Sequence, residues 1–364
     1  MAELGDLMAS VMRRDIFRQP DCLQSLGRRA ADFLQIGENH ARPGEGGRVF
    51  VCGCGDGFFA AIAAQSFARQ KGLRWHPLGS LEMVLAAGTL TPADRVIAIS
   101  MSGNVDRTVE AALAAKSAGV ELVALVNSRD GGRLGQIASA MISLDIPDVA
   151  PFLCGTATYT ATILALMLLI CGSAGDQQDV ELIEVLDAQR VALEATDAVI
   201  GSLNVPSGVR ILSASAEMGT AAYGAAKFVE LTLIPAWSAE LEEFAHSQYW
   251  SMPRTDLVVM IAAEPLLASY EDEACAALSE LGVTTLAVDT PASPIQNATH
   301  RITLPIGTVA LAPLVTALPL QMLAYQMANL SGLNPDTREH LKQDETRFRV
   351  SRRLTRRTLL GTGL

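Results

Sequence analysis

Asp94-Arg95-Val96-Ile97-Ala98-Ile99-Ser100-Met101-Ser102-Gly103-Asn104 is the stretch on which the fold turns. Four apolar residues without alternation, 96–99, run into small hydroxyl residues and a glycine. An Ala-rich helical pattern then continues to about Ala118. An unbroken apolar run of this length reads as a strand buried on both faces, the habit of parallel sheets covered by helices. A second such run, 122–126, follows Gly119. The unit recurs downstream. Asp256-Leu257-Val258-Val259-Met260-Ile261-Ala262 leads into an Ala/Leu-rich helix that ends at Gly282. Asp94 and Asp256 lie 162 positions apart, Gly119 and Gly282 163 apart, and the strand 48–52 has a counterpart at 210–213. Two copies of one strand–loop–helix–strand unit account for this spacing. The expectation is an α/β fold with a parallel sheet in each copy.

Working outward, the 364 residues suffice for two domains. The expected division is a helical lead-in over 1–24, a first domain over 25–175, a second over 190–330, and a tail over 331–364. Apolar residues at 49% against 18% charged exclude a disordered chain. Net charge is −11, which repels phosphate backbones, so no nucleic-acid partner is expected. Six cysteines without a CxxC pair argue against a disulfide framework or a metal site, and a reducing cytoplasm is expected. Residues 1–15 read as an amphipathic helix, not a signal peptide. The apolar run 161–171 is too short to span a bilayer, and 302–330 is interrupted by Pro305, Pro313 and Pro319. Both read as buried core, with no membrane partner.

Ligands of parallel sheets bind at the carboxyl ends of the strands, here the loops after Cys52, Ile99, Ser213 and Ile261. The first loop is Gly53-Cys54-Gly55-Asp56-Gly57-Phe58. Phe58 stands where a dinucleotide fingerprint needs glycine, which disfavours a nicotinamide-dependent dehydrogenase. The loop reads equally well as a ligand loop or as a tight turn for close strand–helix packing. The second loop, Ser100 to Thr108, puts Ser100, Ser102, Gly103, Asn104 and Thr108 at a helix start. Unpaired N–H groups there attract phosphate or carboxylate, although serine also serves simply as an N-cap. The second copy has Ala262-Ala263-Glu264-Pro265 instead, so the copies are specialised. It carries Lys227-Phe228-Val229-Glu230 and, further on, Glu240-Leu241-Glu242-Glu243-Phe244-Ala245-His246. Carboxylates and an imidazole so close are materials for proton transfer, though surface helices are also rich in glutamate.

At this point the chain resembles the SIS (sugar isomerase) superfamily in its double-domain form. Met12-Arg13-Arg14-Asp15-Ile16-Phe17-Arg18-Gln19-Pro20 is similar to the family's M-x-x-E-I-x-x-Q-P lead-in, and Ser100-Met101-Ser102-Gly103 to its phosphate-loop S-x-S-G. Gly224-Ala225-Ala226-Lys227-Phe228-Val229-Glu230 resembles G-A-L-K-x-x-E, and His246 follows Glu230 by the family's sixteen positions. Pro319-Leu320-Gln321-Met322-Leu323-Ala324-Tyr325 resembles P-L-Q-L-L-A-Y, and residues 334–342 resemble the D-x-P-R-x-L-x-K tail. The resemblance implies two tandem SIS domains, each a five-stranded parallel sheet flanked by helices in a flavodoxin-like sandwich.

It also implies a function: a sugar-phosphate aldose–ketose isomerase or aminosugar-phosphate deaminase working through an enediol or enolamine. Glu230 would be the enolising base, His246 the ring-opening acid/base contributed across a homodimer, and Lys342 the active-site lysine. Ser100, Ser102, Gly103, Asn104 and Thr108 would hold the phosphate, with Gly53, Gly55, Asp56 and Lys227 lining the substrate. No cofactor and no metal is expected. The chain departs from the family pattern in having no N-terminal cysteine or glutaminase domain. Asp56 and Gly57 occupy places usually held by hydroxyl residues, and Val105 replaces a Thr or Ser. Arg107 is a candidate to compensate Asp56. The alternative reading is a non-catalytic sugar-phosphate sensor. It is disfavoured by the lack of an output domain before residue 25 and by Glu230, His246 and Lys342 occurring together. The tail arginines, Arg347, Arg349, Arg352, Arg353, Arg356 and Arg357, read as a solvated or subunit-packing segment.

Overall fold

A computed structural model describes residues 10–176, 180, 182–355 and 359. The expected helix over 1–15 is therefore described only from residue 10, and Arg356 and Arg357 lie outside the described residues. The chain forms two compact units, one built on residues 21–147, 157–182 and the tail from 341, the other on 148–156 and 183–340 with the lead-in to Pro20.

The first-sheet unit contains β1 (Val49–Gly53), β2 (Trp75–Gly79), β3 (Arg95–Ile99), β4 (Glu121–Val126) and β5 (Ala140–Ser143). Their order is β2-β1-β3-β4-β5. Every pairing is parallel, with Val49 opposite both Trp75 and Arg95. Residues 96–99 and 122–126 are buried, as continuous apolar strands should be. Val96, Ala98, Leu122, Ala124 and Val126 face Val109, Ala112 and Ala115 of the helix Asp106–Ser117 in one core. The apolar run 161–171 is part of a longer helix, Ala157–Ala174. This helix is long and apolar enough to cross a membrane, yet 89% of it is buried within the protein.

The second-sheet unit contains β6 (Val209–Ser213), β7 (Ala236–Glu240), β8 (Leu257–Ala262), β9 (Thr284–Asp289) and β10 (His300–Thr303), again all parallel. The order β10-β9-β8-β6-β7, taken from its other edge, repeats that of the first sheet. In both sheets the connection reverses direction between the first and third strands, β1 and β3 or β6 and β8, which is where such sheets open a crevice.

The duplication extends to one ion pair. Arg48 Nη2 lies 2.8 Å from Asp94 Oδ2, and Arg210 Nε 3.2 Å from Asp256 Oδ2, each pair 46 residues apart. Both aspartates are buried at the amino ends of their sheets. Arg48 stacks over Phe50 and Arg210 over Trp237. The guanidinium of Arg48 holds the Asp94 carboxyl far below its ordinary range.

The expectation of a break at Pro319 is corrected by the structure: one helix, Pro313–Leu330, runs through it. Pro313 occupies the first turn, where a missing N–H costs nothing. Burial of nearly every residue from Pro313 to Ala328 offsets the hydrogen bond that Pro319 cannot donate. The lead-in helix Val11–Phe17 starts on Ser10, and Asp336 accepts from Ser10 Oγ and from the N–H groups of Val11 and Met12. Gln19 Nε2 donates to Gln321 Oε1 (2.7 Å), Gln321 Nε2 to Tyr223 Oη (3.0 Å), and Tyr223 Oη to the carbonyl of Gly155 (2.7 Å). Two of the sequence motifs thus meet in one buried polar chain, through Tyr223 just ahead of a third.

Candidate functional site

In the first-sheet unit, β1 ends at Gly53 and the helix Asp56–Ala63 starts directly after Gly55. A Cβ on Gly53 would lie 2.9 Å from the Gly57 carbonyl carbon, and one on Gly57 2.8 Å from Ile99 Cγ2. These two glycines are therefore demanded by close strand–helix packing. Asp56 stands at the first turn of the helix, partly exposed.

The loop after β3 folds back on itself. Ser100 is buried, its Oγ accepts from Val105 N–H (3.4 Å), and its carbonyl accepts from Gly103 N–H (2.9 Å). Gly103 has a φ of +66°, and a Cβ there would sit 2.0 Å from the carbonyl oxygen of Gly131. This tight approach seats the loop on the segment after β4. Ser102 and Asn104 are exposed and bond each other: Asn104 N–H donates to Ser102 Oγ (3.2 Å), and Asn104 Nδ2 to the Ser102 carbonyl (2.7 Å). Thr108 points inward. It is fully buried, with Oγ1 3.0 Å from Ser80 Oγ and 3.7 Å from Cys54 Sγ, which ties the two loops together. Arg107 pairs with Glu110. A residue the sequence reading passed over, Arg133, donates to the Asn104 carbonyl (2.6 Å) and pairs with Asp106 (2.5 Å). It brings a half-exposed guanidinium to the loop, and only its place just after β4 could have drawn attention to it.

Lys342 also falls in the first-sheet unit, exposed, in a cavity of about 440 Å³ shared with Glu345, Phe348, Arg349, Arg352 and Arg353. The helix Glu345–Thr355 that carries those arginines is exposed along most of its length.

In the second-sheet unit, Lys227 and Glu230 lie three apart on the helix Glu217–Thr232 and share a face. Lys227 is buried and its Nζ lies 3.1 Å from Glu230 Oε2. Arg338, also buried, reaches the same oxygen with Nη1 at 3.2 Å. The Glu230 side chain is 37% exposed, and its Oε1 has no partner among the described residues. His340 Nε2 sits 3.2 Å from the Glu230 backbone carbonyl. Arg338 and His340 were not among the expected site residues. They belong to the motif 334–342, but nothing in their spacing announces a contact with a residue 108 positions earlier. His246 is exposed at the end of the helix Leu241–His246, with Nε2 3.0 Å from Glu242 Oε1, which Tyr270 Oη braces from the other oxygen at 2.9 Å. Neither His246 nor Glu230 has the other as a hydrogen-bond partner.

The carboxyl edge of the second sheet differs from that of the first. Glu217, after β6, is fully buried, and its Oε2 accepts from Thr316 Oγ1 (2.7 Å). Burial pushes its carboxyl up to about 7. Glu271 bonds Ser293 Oγ (3.3 Å) and is likewise pushed up to about 7, by burial and by the nearby charges of Glu264 and Glu217. Among the described residues no three His, Cys, Asp or Glu side chains are arranged to hold a metal ion.

Residues 211–331, which include Lys227, Glu230 and His246, match the SIS domain family model. The chain is 24% identical over 326 residues to the isomerizing glutamine–fructose-6-phosphate aminotransferase of Gloeobacter violaceus. The match covers 82% of this chain and 52% of that protein, so the chain spans about half the length of this relative. The solved glucosamine-6-phosphate deaminase of Thermotoga maritima superposes with a TM-score of 0.74 at 18% identity, over 92% of this chain and 99% of that one. For the tagatose-6-phosphate ketose/aldose isomerase of Escherichia coli the TM-score is 0.75 at 18% identity, over 91% and 95%. The match to the SIS domain family covers residues 211–331, and the likeness to these solved structures, a likeness of fold, extends over nearly the whole length of the chain.

Proposed function

We propose that the protein is a sugar-phosphate isomerase or aminosugar-phosphate deaminase. The observation that carries this reading is the state of Glu230. One carboxylate oxygen is clamped by two buried cations and the other is open, in the residue whose motif resembles that of the SIS base. A carboxylate held this way is built to take a proton from carbon and return it next door. The names of the relatives, an aminotransferase that isomerises, a deaminase and a ketose/aldose isomerase, share that single step.

In this reading the loop from Ser100 to Thr108 grips the anionic end of an open-chain sugar, so that binding energy orients the reacting carbons. Exposed Ser102 and the N–H groups around it supply donors, and Arg133 adds positive charge. Ser100 and Thr108 shape the loop from inside. Glu230 transfers the proton between C1 and C2 through an enediol or enolamine. His246 opens the ring from a second copy in a homodimer, which suits its exposure and its brace on Glu242. Lys342 contacts the sugar from the tail.

The test is a panel of hexose and aminohexose 6-phosphates with their unphosphorylated analogues, scored for isomer formation and ammonia release. Glu230→Gln is expected to lower kcat by roughly two or more orders of magnitude while KM stays near its original value. Turnover at the wild-type rate in that variant removes the assignment.

A further inference from the structure

Arg338 and Phe152 are two bulky residues in the left-handed region of backbone space, at φ +48° and +67°. That conformation is costly for any residue with a Cβ, and paired outliers beside a reactive group point to a purpose. Here they meet. The Arg338 guanidinium stacks on the Phe152 ring, with Cζ 4.4 Å from its centroid. Its Nε donates to the Phe152 carbonyl (2.8 Å), a contact its Nη2 shares. Its Nη1 is the group that reaches Glu230 Oε2. The segment that carries Phe152 is itself pinned, since Tyr223 Oη donates to the carbonyl of Gly155 and Thr156 Oγ1 donates to Asp15.

A glutamate carboxylate turns easily about its last torsion, which is broad and two-fold. Lys227 alone is a point charge and leaves that rotation open. A planar guanidinium bonded at once to a fixed backbone carbonyl and to Oε2 removes it. The plane of the carboxylate is then fixed, with one oxygen held and the other open.

We propose that Arg338 is a positioning residue for the reaction. It bridges the Phe152 carbonyl and one oxygen of Glu230, which fixes the plane of the carboxylate and holds the other oxygen toward the carbon-bound proton. The proposal rests on the reading of Glu230 as the base, and it adds the strained 152–338 contact as the element that aims it.

The test uses Arg338→Lys and Arg338→Gln in the full chain, with thermal melting to establish that each variant folds. The substrate is whichever of fructose 6-phosphate, glucose 6-phosphate or glucosamine 6-phosphate the wild type converts. Misaiming a base by about an ångström costs on the order of a hundredfold, so both variants should lose roughly 10- to 100-fold in kcat with KM within about threefold. Lysine keeps the charge but not the fork, so it should recover only a small part. A crystal structure of Arg338→Gln should show the Glu230 carboxylate turned. Wild-type kcat in Arg338→Gln, alongside an inactive Glu230→Gln, overturns the positioning role and leaves the base intact. Should Glu230→Gln remain active, or no sugar phosphate turn over, the functional reading fails. The crystal structure then decides the positioning role by itself, and an unmoved carboxylate at 230 overturns it.

Discussion

The two sheets share strand order, parallel register and an Arg–Asp pair with a buried aspartate at the amino end, yet their carboxyl edges have gone opposite ways. The first edge is an open turn of hydroxyls, N–H groups and a nearby guanidinium. The second is closed over two buried carboxyls, Glu217 and Glu271. Its proposed base lies elsewhere, near the far end of the sixteen-residue helix Glu217–Thr232. At about 1.5 Å per residue that is some 20 Å from the strand ends. Duplication kept what holds each sheet together and released what faces a ligand.

The comparison is tested most strongly at the shared ion pairs. Asp256→Ala strands Arg210, whose side chain is 5% exposed, and should cost about 3–5 kcal/mol in chemical denaturation. Asp94→Ala strands Arg48, which is 30% exposed and reaches water, so its cost should be smaller, about 2–4 kcal/mol. Equal or reversed costs would break the view that the two pairs do the same structural task in different degrees of burial. Next comes the feature found only in the first copy. Gly103→Ala meets both the left-handed φ and the carbonyl of Gly131, and should lose about 2–4 kcal/mol in the same measurement.

A smaller effect is expected at the second edge, and it depends on pH. Glu217 and Glu271 have an ordinary value of 4.5 and about 7 in the folded chain. Below 4.5 both states hold the proton and stability is full. Between 4.5 and 7 the unfolded chain releases it while the folded chain retains it, so stability falls as pH rises and levels off above 7. Melting temperature should therefore drop from pH 5 to pH 8, and Glu217→Gln should flatten the slope by about 1–3 kcal/mol. An unchanged slope would argue that the second edge is not closed. Smallest of all, Ser102→Ala should raise KM about tenfold for a phosphorylated sugar and leave an unphosphorylated analogue unaffected.

The sheets were legible in the sequence because parallel strands buried on both faces need unbroken apolar runs, and the repeat exposed the topology. The loop after β3 was legible because hydroxyls and glycine follow such a run. Glu230 was legible only through resemblance, since a strand-end rule searches the wrong end of its helix. Arg338 stood within a recognised motif, but its meeting with Phe152 and Glu230 was not legible. Their contact spans more than a hundred residues and uses left-handed backbone at positions without glycine. The same holds for the lead-in, whose partners Asp336 and Gln321 lie more than three hundred residues away.

That last distance bears on how the molecule is born. The glutamine at 19 emerges from the ribosome long before its mate at 321, and residues 148–156 emerge before everything that pins them except the lead-in. The first sheet is complete by residue 143 and is free to assemble during synthesis. The second must leave an early segment waiting until residues 321 to 338 have been translated, a closure over long loops that the first sheet does not need.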